Sequence, residues 1–319
     1  MVDDRSEPVD QAKPAGATSG RGVLLAVGAY VLWGILPLYF LLLSPSNALE
    51  IVAWRVLFSV VFCAILLTVT RGWARLIALL RDRRVMLTLL FAGIMILINW
   101  LVYVFATLNG EVVQAALGYF TNPIVTVLLG VVVLRERLRP WQWVAVGVSV
   151  IAVLVIAIGY GAFPWIALAL AFSFGLYGLL KKRVGGRVDA LSGLTIETLW
   201  LSPIAALQLV FVGATTGLTI GTISVWHTIL LLLAGVVTAV PLLMFAGAAR
   251  RIPLTVIGLT QYLTPLLQFV IGVLLLHEAM PTPRLVGFIL VWVALGILTV
   301  DLFRSSRASR RGMPGPVSG

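Results

Sequence analysis

A run of 23 residues, ALGYFTNPIVTVLLGVVVLRERL from Ala116 to Leu138, returns 142 positions later as GLTQYLTPLLQFVIGVLLLHEAM, from Gly258 to Met280. Pro123 falls on Pro265, Gly130 on Gly272 and Glu136 on Glu278. Each copy is apolar over a length that crosses a bilayer as a helix, about 20 residues. Each has a proline inside and an acid just past its end. The same offset carries Ala92-Gly93 onto Ala234-Gly235, Ala48-Leu49 onto Ala190-Leu191 and Ala106 onto Ala248. Chance similarity between apolar helices, which share a small alphabet, does not readily put four pairs in one register. The chain therefore reads as two copies of one unit. Interrupted apolar segments at matching places in two halves point to the binding site of a transporter.

Lipid is the solvent this composition calls for. Apolar residues make up 61% of the 319 and charged residues 11%, against about 25% charged in a soluble domain. Ten apolar runs are expected at 22–43, 48–70, 85–107, 111–134, 140–159, 163–181, 190–213, 226–249, 254–276 and 283–303. The polar stretches 1–20 and 304–319 are expected as disordered tails. Lys and Arg alternate strictly between the two sides of this arrangement. The side holding both termini carries 21, the other side carries Arg284 alone, and Arg55 lies inside a run. That asymmetry predicts cytoplasmic termini. Five helices per half is an odd number, so the second half enters from the opposite side. The predicted fold is an all-α integral membrane protein of ten transmembrane helices in two inverted five-helix repeats, 21–160 and 161–303.

The net charge of +11 sits in short clusters between apolar runs, so it orients helices and gives no nucleic-acid signal. A single cysteine, Cys63, rules out an intramolecular disulfide, and His227 and His277 have no metal-ligand spacing. No metal, cofactor or catalytic residue is expected. A phosphate-binding GxxxxGK[ST] motif is absent, which argues against ATP-driven transport by this chain alone. A membrane-embedded lipid-modifying enzyme is the main rival reading and lacks an acid/base cluster near an interface. A non-transporting scaffold is the second, and gains nothing evident from pseudo-symmetry.

Polar residues inside the runs face protein or a water-filled cavity. Gly118, Asn122 and Thr126 share one helix face, as do their mates Thr260, Thr264 and Gln268. Interhelical hydrogen bonding explains any one of them as well as a cavity does. As candidate substrate contacts near the midplane the sequence offers Gln114, Tyr119, Asn122, Gln261, Tyr262 and Thr264, with Asn99 and Trp33. Among the charges, Arg55 is expected to pair with Glu111, or failing that with Glu50. Glu197 occupies the repeat position of Arg55. It is expected to lack a basic partner, which leaves it either a proton-coupling site or a hydrogen-bonding structural group.

The segments EIVAWRVLFS (50–59), NW (99–100), ALGYFTNP (116–123), LRERL (134–138), AFSFGLYGLLKK (171–182), IETLWLSP (196–203) and QYLTP (261–265) together resemble RarD proteins. These belong to the EamA-like part of the drug/metabolite transporter superfamily. The resemblance covers about residues 20–303. It implies ten helices in two inverted EamA repeats, a plasma-membrane location and export or exchange of a small metabolite or drug, and it supplies no catalytic residues. Trp54 departs from it, because such proteins often have His before the arginine. The expected partners are a small-molecule substrate and membrane lipids, with a second copy of the chain left open, and no nucleic acid.

Overall fold

The computed structural model describes residues 20–134, 140–159, 163–249, 251–252, 256 and 260–311. Eleven α-helices follow one another among these: α1 (Gly20–Leu41), α2 (Ala48–Val69), α3 (Trp73–Leu80), α4 (Arg83–Leu108), α5 (Val112–Leu134), α6 (Pro140–Gly159), α7 (Trp165–Val184), α8 (Ala190–Thr215), α9 (Val225–Ala249), α10 (Leu263–Val270) and α11 (Thr282–Arg311). Nine of the described helices are long and apolar enough to cross a membrane, and a shorter apolar helix at Leu263–Leu275 stands at the place of the ninth predicted run. An apolar medium leaves no water for backbone groups, so helices satisfy them internally. The expected tail at 1–19, the Glu136 copy of the repeat acid and the repeat boundary at 160–161 lie outside the described residues.

Short polar residues start several of these helices. The side chain of Asn47 accepts from Glu50 N at 2.9 Å ahead of α2, and that of Asp82 accepts from Arg84 N and Val85 N at 2.9 and 3.2 Å ahead of α4. Asp189 caps α8 through Ser192 N at 3.0 Å and the Ser192 hydroxyl at 2.8 Å. Each such cap satisfies an N–H that the first turn leaves without a partner. Burial of Asp189 raises its pKa, but the two Ser192 bonds and nearby Arg75 outweigh that and hold the carboxyl below its usual range.

Helix α3 was not expected. Its eight residues, WARLIALL, are too few to register as a membrane run. Leu76 is buried against Leu67, Val85 and Leu89, while Trp73, Ile77 and Arg75 face outward. It is an amphipathic helix of about two turns on the side where α1 begins, called here the near side. At the other end, the tail expected from residue 304 continues α11 to Arg311.

The spans pack in a pattern that survives exchange of the halves. α4 and α5 lie on α7, and their counterparts α9 and α10 lie on α1. α2 lies on α9 as α8 lies on α4. The pairs α2–α8, α5–α10 and α6–α11 map onto themselves. This pairing is compatible with the inverted repeat. Two apolar cores result: a central one among α1, α2, α4, α7, α8 and α9, and a second among α5, α6, α10 and α11. Large apolar side chains such as Val61, Phe91, Leu154, Leu207 and Phe211 stay exposed, as lipid-facing positions do.

The two proline segments differ despite their shared sequence. α5 runs unbroken through Pro123. Its mate has a turn at Gln261–Tyr262, an α-helix of eight residues, and a π-helical turn over Ile271–Leu275. Pro265 has no N–H for the Gln261 carbonyl, which instead receives Thr264 N at 3.4 Å. The chain then turns back so that the Glu278 carboxylate accepts Val112 N at 2.6 Å and Val113 N at 2.8 Å. The repeat acid is thus the N-terminal cap of α5, an anion at the positive end of a helix.

Candidate functional site

The central core holds a set of aromatic and polar side chains from both halves. Arg55 of α2 is 5% exposed. Its Nε donates to Thr238 Oγ1 of α9 at 2.6 Å, and its Cζ lies 4.2 Å from the Trp100 ring and 5.6 Å from the Phe40 ring. Phe40 meets Tyr103 at 5.9 Å between centroids, Tyr103 meets Tyr119 at 5.6 Å, Tyr119 meets Phe174 at 6.0 Å, and Phe174 meets Tyr177 at 6.0 Å. The rings form a continuous series from α1 across α4 and α5 to α7. Tyr177 ends it by donating to Glu197 Oε2 of α8 at 3.3 Å.

Hydrogen bonds tie the same helices together. Asn99 donates to Leu170 O at 3.2 Å and Ser173 Oγ at 3.1 Å on α7, and accepts from the Tyr119 hydroxyl at 3.0 Å. Gln268 of α10 donates to the Tyr103 hydroxyl at 2.8 Å and to Trp33 O of α1 at 3.4 Å. Thr264 donates to Tyr30 O at 2.7 Å. Three buried atoms around this set have no partner: Arg55 Nη1, Asn122 Oδ1 and Gln268 Oε1. Buried polar atoms are satisfied in the great majority of cases, and the exceptions mark strain or function.

The stripe expected from sequence does not converge on one point. Asn99 and Tyr119 meet. Thr264 and Trp33 share the α1–α10 seam, and Trp33 packs on Tyr30 and Phe245. Asn122 turns to α7, with its Oδ1 near Gly175. Gln114 lies further out, donating to Glu111 Oε2 at 2.8 Å. Tyr262 belongs to the second core, and Gln261 occupies the turn before α10.

The charge pairing expected from sequence is corrected throughout. Arg55 meets neither Glu111 nor Glu50. Glu111 pairs at 3.3 Å with Arg284, near the start of α11. Glu50 accepts the backbone N–H groups of Thr219 and Ile220 at 2.8 and 3.4 Å. Glu197 does have a base: Lys181 Nζ reaches it at 2.7 Å. The argument for proton coupling from an unpaired carboxyl therefore falls away. Beside Arg284 and Glu111, burial pushes the Glu278 carboxyl above its usual range, and its two backbone bonds and Arg284 pull against that.

With this geometry in place, relatives decide the family. Residues 20–158 match the EamA-like transporter family. A protein RarD from Streptomyces exfoliatus is 47% identical over 290 residues, 91% of each chain. The chain belongs to the EamA-like transporter family, among its RarD proteins. A protein RarD from Escherichia coli (strain K12) is 39% identical over 91% of this chain and 98% of that one. An uncharacterized transporter from Vibrio cholerae is 40% identical over 91% and 96%. A solved structure, at 18% identity, superposes with a TM-score of 0.55 over 89% of this chain and 98% of that one, which shows the fold alone.

In this RarD-type chain, sequence reasoning missed Tyr103, Thr238, Gln268 and Lys181 as site groups. Gln268 was visible as the third member of the α10 stripe. Lys181 was counted only as an orienting loop charge. Tyr103 and Thr238 carried no signal, since a tyrosine or threonine in an apolar run is unremarkable until its neighbours are known.

Proposed function

We propose that this chain is a secondary transporter that exports or exchanges a small metabolite or drug across the plasma membrane by alternating access. The observation that carries the reading is three buried polar atoms without partners, Arg55 Nη1 and Gln268 Oε1 beside the edge-to-face rings and Asn122 Oδ1 against α7, where helices of the two halves meet. A structural core has no use for them, and a polar ligand does. The helix pairing supports a rocking of one half against the other, and the relatives' names describe transporters. Within the proposed site, Asn99, Tyr119, Asn122, Thr264 and Trp33 stand with Tyr103 and Gln268. Gln114, Gln261 and Tyr262 take edge positions.

Counterflow in liposomes containing the purified protein, scanned over a metabolite and antibiotic library, tests this directly. Asn122→Leu combined with Gln268→Leu should leave the protein monodisperse and lower the transport of any substrate found by about tenfold or more, because two polar contacts at about 1 kcal/mol each are lost. Unchanged transport in that double variant would refute the placement.

The proposal puts the near side in the cytoplasm, on the strength of the 21-to-1 Lys and Arg count. Gly186 and Thr222 are exposed in loops on the near and far sides. In a Cys63→Ala background, Thr222→Cys should react with an impermeant maleimide in intact cells, and Gly186→Cys only after lysis. The reverse pattern sinks the orientation.

A further inference from the structure

We propose that Arg55 is the anchor for an anionic group on the transported molecule, which makes the substrate class a small organic carboxylate with an apolar body. This rests on the transporter reading above and deepens it. A guanidinium stays charged in proteins, and placing one inside a bilayer without a counter-charge is costly enough that it marks a functional site by default. What surrounds Arg55 does not neutralise it. Its Nε meets an uncharged hydroxyl at 2.6 Å, its face is covered by the Trp100 ring at 4.2 Å, and Nη1 is buried with no partner.

The carboxylates that sequence position made available are engaged elsewhere. Glu50 accepts two backbone N–H groups on Oε1 and makes no bond to Arg55 with its buried, unpartnered Oε2, Glu111 binds Arg284, and Glu197 binds Lys181. No described carboxylate lies at salt-bridge distance from Arg55.

The repeat sharpens the point. At the offset of 142, Arg55 falls on Glu197 and Tyr39 falls on Lys181. In the second copy those two positions form an ion pair of 2.7 Å, closed within the chain. In the first copy the position of the counter-charge holds Tyr39, whose hydroxyl is spent on Leu230 O at 2.6 Å. The same place in the fold is neutral in one copy and carries an uncompensated cation in the other. A substrate carboxylate accepting from the free Nη1–H supplies the missing charge. Next to it, Phe40, Tyr103 and Tyr119 offer flat apolar faces with centroids 5.6–5.9 Å apart in succession, and these suit an aryl or alkyl body better than a second charge. Inorganic anions have no use for such a surface.

Isothermal titration of the full-length detergent-solubilised protein separates charge from shape. The probes are benzoate, phenylacetate and hexanoate, each against its neutral amide. At least one acid should bind about tenfold or more tightly than its amide, the size of one charge-assisted hydrogen bond. Arg55→Gln should erase that preference. If Arg55→Gln does not fold, Arg55→Lys should weaken the acid and leave the amide unchanged, because it keeps the charge and loses the fork. The proposal is overturned if no acid binds the parent, if acids and amides bind alike, or if the variant that folds keeps the parent's full preference. Transport of a neutral compound with none of these acids binding sinks the anchor and leaves the transporter standing. Acid preference without counterflow of any compound does the opposite.

Discussion

Replacing Lys181 by Met should cost about 3 kcal/mol of stability, and adding Glu197→Gln should return most of it. The Glu197 side chain is 2% exposed and that of Lys181 28%, with 2.7 Å between the charged atoms. Without Lys181, the carboxylate keeps a single donor, the Tyr177 hydroxyl at 3.3 Å. Removing one partner of a buried pair leaves an uncompensated charge and costs about 3–5 kcal/mol, whereas removing both is often close to neutral. The partial exposure of Lys181 puts the expected figure at the lower end. Reversible unfolding in detergent, read as a double-mutant cycle, measures it. A Lys181→Met protein within about 0.5 kcal/mol of the parent would mean that the pair contributes nothing to the fold.

Gly235→Ala should destabilise the protein by about 3 kcal/mol or more, while Gly93→Ala at the matching position stays within about 1 kcal/mol of the parent. Both glycines sit where two helices cross, Gly93 of α4 on α8 and Gly235 of α9 on α2. A methyl group on Gly93 meets Glu197 O at 3.4 Å and Leu201 Cγ at 3.6 Å, which is near ordinary contact. On Gly235 it falls onto the carbonyl carbon and oxygen of Phe58, and 2.6 Å from Ser59 N. Those are backbone atoms of a neighbouring helix and cannot turn aside as a side chain does. Small residues hold membrane helices together by allowing such approach. Thermal unfolding of the two single variants side by side decides the matter. Equal stability would show that α2 and α9 are free to separate.

The Gly93–Gly235 contrast also shows what a repeat in sequence leaves open. Offset and spacing paired the glycines, but which of them touches backbone depends on how closely each pair of helices crosses. The proline segments behave alike in this respect. α5 carries Pro123 without a break, while the copy at Pro265 is turned and, over Ile271–Leu275, underwound. Glu278 was legible as a repeated acid, yet its role as the cap of α5 needed the chain to fold back 166 residues in sequence.

Position of the spans along the chain was readable, and direction around each helix was not. The starts of nine spans follow from local pattern, because helices in lipid must satisfy their own backbone, whereas the ninth, expected from 254, has its described helix only from Leu263. The same medium erases the signal for facing. A lipid-exposed side and a protein-facing side are both apolar, so no polar stripe tells them apart over most of these helices. Arg55 and Glu111 were wrongly joined, since α2 faces α8 and α9 while Glu111 faces Arg284 at the start of α11. By itself the sequence determined the class and nine of the spans, which hydropathy and length dictate. Which charge met which partner, and that Arg55 met none, was decided only when the helices rotated about their axes to pack.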